Sequence, residues 1–82
     1  MYHYLVYPAT NEKLFYKQCA RLEERIAGLK NLRLLEDPDG TLIQLYRHPK
    51  GEVDVYNDED VGMLYVKSGF DLKPYEALLR ET

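Results

Sequence analysis

Cysteine is almost missing from this chain: Cys19 stands alone among 82 residues. An internal disulfide is therefore excluded, and a small domain without a disulfide framework fits a reducing compartment. No apolar run approaches the roughly 20 residues of a membrane span. The opening residues, MYHYLVYP, lack the basic region and cleavage site of a signal peptide. These absences lead to the expectation of a cytoplasmic protein with no membrane partner.

Positive charge is not in excess either. The formal net charge is −3, which argues against nonspecific nucleic-acid binding, since that depends on neutralising phosphates with Lys and Arg. Signatures of chemistry are missing too. There is no phosphate loop, no nucleophile elbow and no Cys-His signature, and Ser68 is the only serine. Asp37-x-Asp39-Gly40 begins like a calcium loop, but the twelfth position is His48 where glutamate is required. His3 and His48 have no Cys or His partner at ligand spacing. Cys19 reads as a small buried hydrophobe rather than a nucleophile. The expectation is no catalytic residue, no metal and no cofactor.

What remains has ordinary globular composition. A chain of this length makes one domain, residues 1–82, with little spare core for a deep cavity. Any site should then lie on the surface.

Tyr2–Tyr7 reads as a strand that Pro8 stops, since proline has no N–H for a ladder. Both of its parities are apolar, which suits a strand that is central or covered on both faces. Thr10 or Asn11 is a candidate N-cap. A helix should follow to about Ala27, ended by Gly28 in a left-handed conformation. Phe15, Cys19, Leu22, Ile26 and Leu29 recur every three or four residues and form one apolar stripe. Lys13, Lys17, Arg21 and Arg25 mark the other side, read as a solvated face balanced by Glu23 and Glu24.

Leu32–Glu36, Thr41–Arg47, Glu52–Tyr56 and Val61–Lys67 read as four further strands. The clusters Asp37-Pro38-Asp39-Gly40, His48-Pro49-Lys50-Gly51 and Asn57–Asp60 read as turns between them. Pro74 opens a short final helix whose inner face would be Tyr75, Leu78 and Leu79. The fold class is therefore α+β, in the order β-α-β-β-β-β-α. It is a two-layer arrangement with a mostly antiparallel sheet and the long helix on one face.

The central strands carry the functional expectation. Ile43, Leu45, Val53, Val55, Leu64 and Val66 are assigned to the helix-covered face. Tyr46, Tyr56, Met63 and Tyr65, with Glu52 and Asp54, are assigned to the opposite face; Tyr2 and Tyr4 join if the first strand pairs there. Tyrosine and methionine suit binding surfaces, although tyrosine is also a good strand former. Acidic residues dominate Glu36–Asp60, and alternating turns would gather DPDG and NDED into one acidic rim. This pattern points to a non-enzymatic protein-binding module: an inhibitor, an immunity-type protein or a regulatory factor. The partner-binding candidates are Tyr46, Tyr56, Met63, Tyr65, Glu52 and Asp54. The alternatives are a homodimer with the tyrosine face inside it, or a small-molecule binder or enzyme using His3 and His48 beside the meander. Base stacking of RNA on the tyrosines is disfavoured by Glu52 and Asp54 among them.

Overall fold

A computed structural model describes residues 1–79. The order of elements is β1 (Tyr2–Tyr7), α1 (Glu12–Arg25), β2 (Lys30–Glu36), β3 (Leu42–His48), β4 (Gly51–Asp58), β5 (Met63–Ser68) and a 3-10 helix (Lys73–Leu79). The strands form one five-stranded sheet in the order β1-β5-β4-β3-β2, with every neighbour antiparallel. This is a two-layer α+β fold. The four-strand meander is as expected, and β1 adds to its free side beside β5.

The start of α1 follows from its first residues. Asn11 is the N-cap: its Oδ1 accepts the Leu14 N–H at 3.0 Å, which satisfies one unpaired first-turn donor. The Asn11 N–H in turn donates to Asn57 Oδ1 at 2.8 Å, fixing the helix start to β4. The helix ends at Arg25, earlier than expected, and Gly28 takes a positive φ of 82° in the turn that follows. Phe15, Cys19, Leu22 and Ile26 are buried on the sheet side, as the apolar stripe requires. Burial pushes the Cys19 thiol up to about 11, which keeps it protonated and inert.

On the helix-covered face, β3 contributes Leu42, Gln44 and Tyr46 rather than Ile43 and Leu45. The β3–β4 hairpin sets this. Its loop is only Pro49-Lys50, so His48 pairs with Gly51 and Tyr46 pairs with Val53. Cross-strand partners share a face. With Val53 in the core, Tyr46 must be there too, and Ile43 and Leu45 must point away. Gln44 tolerates burial because its amide donates to Asn31 Oδ1 and to the Arg33 carbonyl, each at 3.0 Å. These acceptors flank the β2 irregularity between Asn31 and Arg33.

The first strand also departs from expectation. It is an edge strand, not a central one. Tyr4 pairs with Val66 and faces the core, whereas His3 and Leu5 take the other face. The Tyr4 hydroxyl accepts the Leu72 N–H at 2.8 Å and donates to Asp71 at 3.2 Å, anchoring the C-terminal segment. The 3-10 helix lies on the helix side, where Gln18 Nε2 donates to the Leu78 carbonyl at 2.7 Å. Leu79 is buried there, with Tyr75 and Leu78 packed against the core. Both helices therefore lie on one side of the sheet, and among the described residues nothing covers its second face.

Candidate functional site

The uncovered face is organised in rows that run across the strands. Register places Leu5 opposite Tyr65, Tyr65 opposite Tyr56, Tyr56 opposite Ile43, and Ile43 opposite Leu35. One apolar or aromatic residue from each of the five strands thus forms an unbroken row across the sheet. At its centre the rings of Tyr56 and Tyr65 stack with centroids 4.9 Å apart and planes within 5°. The Lys67 ammonium lies 4.9 Å from the Tyr56 centroid, within cation–π reach.

The flanking rows are charged. On one side run His3, Lys67, Asp54, Leu45 and Arg33, then Glu52, Arg47 and Lys30. Arg47 and Glu52 are an exposed ion pair at 3.7 Å. On the other side Met63 pairs with Asp58. The turns Asp37–Gly40 and Asp58–Val61 meet at that end: the Glu59 N–H donates to Thr41 Oγ1 at 3.0 Å. The acidic rim is therefore assembled, and Lys30, Arg33, Arg47, Lys50 and Lys67 gather toward the opposite end. Turn geometry employs some of the acids. Asp39 accepts the Thr41 N–H, and Asp58 accepts the Asp60 N–H, each at 3.0 Å.

The ionisable groups of the face respond to this arrangement. Burial raises the Asp54 carboxyl above its ordinary value, with the Glu52 charge adding and Lys67 opposing. The Tyr65 hydroxyl donates to Asp58 Oδ2 at 2.7 Å, and that bond lowers the Asp58 carboxyl. Burial, then the Asp58 carboxylate, raises Tyr65. Tyr56 is raised by burial and by Asp54.

Five of the six partner-binding candidates, Tyr56, Met63, Tyr65, Glu52 and Asp54, lie together on this face. Tyr46 does not. It is fully buried under α1, and its hydroxyl donates to Glu23 Oε2 at 2.6 Å. Tyr2 and Tyr4 are also absent from the face. Leu5, Ile43, Leu45 and Leu35 replace them, and sequence reasoning missed all four as surface residues. The length of the β3–β4 loop could have found the two β3 residues.

The histidines form no constellation with Asp54. His48 lies on the helix-covered face, where its Nε2 meets the Ala27 carbonyl at 3.0 Å and its Nδ1 accepts the Lys50 N–H at 3.1 Å. Its ring stacks on Phe70 at 4.8 Å. Both ring nitrogens are thus engaged in holding turns together. His3 is separated from Asp54 by the intervening Lys67. Among the described residues no group of three or more His, Cys, Asp and Glu is placed to hold a metal ion, and no helix is long and apolar enough to cross a membrane. A shallow hollow of about 480 Å³ between β1 and β5 opens on the uncovered face, lined by His3, Leu5, Met63, Tyr65 and Lys67 among others. Comparison with protein families, with curated proteins and with solved structures gives no match.

Proposed function

We propose that this chain is a cytoplasmic, non-enzymatic protein-binding module that docks through the uncovered face of its sheet. The observation that carries the reading is the continuous row Leu5, Tyr65, Tyr56, Ile43 and Leu35. An antiparallel sheet that faces water normally alternates apolar residues inward with polar residues outward. Here every strand places an apolar or aromatic residue outward at the same level, and contiguous apolar surface of this kind is typical of interaction sites. The charged rows on either side supply a polar rim, the anatomy of a protein interface. Tyr56 and Tyr65 would be the aromatic anchors, with Glu52 and Asp54 setting orientation. Inhibitory, immunity-type and regulatory roles all follow from covering a partner in this way.

The experiment is replacement of Ile43 and Tyr65 by Lys and Ser, with the fold checked by near-ultraviolet circular dichroism. The reading expects protein–protein association, with itself or with another protein, to weaken by roughly 30-fold or more, as for central hot-spot residues. Unchanged association by a folded variant would remove the uncovered face from the function.

A further inference from the structure

The partner best matched to the uncovered face is a second copy of this chain. We infer an isologous dimer in which two sheets pack face to face, about a two-fold axis lying along the apolar row. This rests on the uncovered-face reading above and adds the identity of the occupant.

Two properties of the face point to self-association. The first is its charge layout. At one end Arg47 offsets Glu52 and Lys67 adjoins Asp54, leaving Lys30, Arg33 and Lys50 in surplus. At the other end lie Asp37, Asp39, Asp58, Glu59 and Asp60, with no Lys or Arg in either turn. A two-fold axis along the row keeps each residue's position across the sheet and reverses its position along the strands. The basic end of one copy then lies over the acidic end of the other, and Arg33 approaches Asp37 of the second copy. An axis along the strands would oppose like ends. The same operation lays the apolar row on itself and pairs opposite charges along β2, as an isologous contact requires. On β4 it sets Asp54 over Asp58 of the second copy, with Lys67 beside Asp54 to offset the repulsion.

The second property is size. Five strands about 4.8 Å apart, each about 20 Å long, present roughly 500 Å² in projection. Two such faces would bury about 1,000–1,400 Å² of rough molecular surface, which meets the ~1,000 Å² expected of a specific interface. The unpaired edge of β2 is the competing contact, since Leu32 and Leu34 are exposed there. Its irregularity between Asn31 and Arg33 interrupts the ladder, and bulges are a common protection of sheet edges.

Sedimentation velocity of the full chain over a dilution series tests the inference with three sets of variants. Ile43→Lys should weaken the dimer by roughly 30-fold or more. Leu34→Lys, on the β2 edge but off this face, should leave it unchanged. Arg33→Glu and Asp37→Lys should each weaken the homodimer by about 10-fold. An equimolar mixture of those two should recover a heterodimer. In it the two substituted positions face each other with their charges exchanged, and the unaltered Asp37 of one copy meets the unaltered Arg33 of the other. These charge variants keep the test decisive even if Ile43→Lys fails to fold.

A wild type that stays monomeric while Ile43→Lys abolishes binding to another protein overturns the second-copy inference and keeps the uncovered-face reading. A dimer lost in Leu34→Lys but not in Ile43→Lys assigns the contact to the β2 edge and also overturns the inference. Charge variants that weaken the dimer but do not recover it on mixing overturn the proposed axis. Association unaffected by every face variant removes both proposals.

Discussion

The Tyr46 hydroxyl donates to Glu23 Oε2 at 2.6 Å, which ties the middle of β3 to the last turns of α1. The ring is fully buried, and burial together with the Glu23 carboxylate holds its pKa far above the ordinary value. Tyr46 is thus a structural residue. Tyr46→Phe should destabilise the fold by about 1–2 kcal/mol, toward the low end for a bond to a charged group because the exposed Glu23 carboxylate can be rehydrated. Tyr46→Ala should cost about 3–5 kcal/mol through the cavity it leaves. Chemical denaturation gives both values. Binding by the folded Tyr46→Phe variant should match the wild type, because the hydroxyl lies under the helix.

Tyr56 and Tyr65 should behave in the opposite way. They stack on the uncovered face, so their truncation opens no core cavity. A double-mutant cycle with Thr at each position should give a coupling of about 0.5–1.5 kcal/mol. Denaturation midpoints of the four proteins, measured under dilute monomeric conditions, supply the cycle. A coupling near zero would mean that the two rings do not share a contact in solution.

Asp54 gives a pH-dependent prediction. Its folded carboxyl is raised above the ordinary value of 3.8, mainly by burial. The folded state therefore holds the proton more tightly than the unfolded state, and ionised Asp54 opposes folding. That penalty is absent below the unfolded value and fully present above the raised folded one. Asp54→Asn should increase stability at neutral pH by less than about 1 kcal/mol, because the half-exposed carboxylate is screened by water. The gain over wild type should shrink as pH falls through the folded value toward 3.8. Thermal melts across acidic pH read this directly.

Asn57 carries a further expectation. Its buried side chain accepts the Asn11 N–H and so holds the helix N-terminus against β4. Asn57→Ala leaves that donor unpaired and should cost about 1–3 kcal/mol. Amide exchange should also quicken first at the start of α1. Uniform acceleration throughout the chain would indicate that this bond has no local role.

The order of elements and the helix stripe were legible in the sequence because they depend on local signals. Pro8, Asn11, Gly28 and the Asp37–Gly40 turn each act within a few residues. The parity of β3 was not legible from hydropathy, because Ile43 and Leu45 are more apolar than Gln44 and Tyr46. The two-residue loop at Pro49-Lys50 overrides hydropathy by fixing Tyr46 opposite Val53. A one-residue displacement exchanges the two faces of a strand, and that error placed Tyr46 in the candidate site. Val53, Val55, Leu64 and Val66 face the core as their parity indicates, so Tyr56, Met63 and Tyr65 fell on the correct side. The edge position of β1 depends on pairing with β5, far away in sequence, and no local pattern encodes it.

The most direct test of the face-to-face dimer is a dilution series followed by methyl NMR on isoleucine- and leucine-labelled protein. The account predicts concentration-dependent shifts at Ile43, Leu45, Leu35 and Leu5, with Leu22 and Ile26 under the helix unchanged. Shifts confined to Leu32 and Leu34 on the β2 edge, or none at any of these methyls, would contradict it.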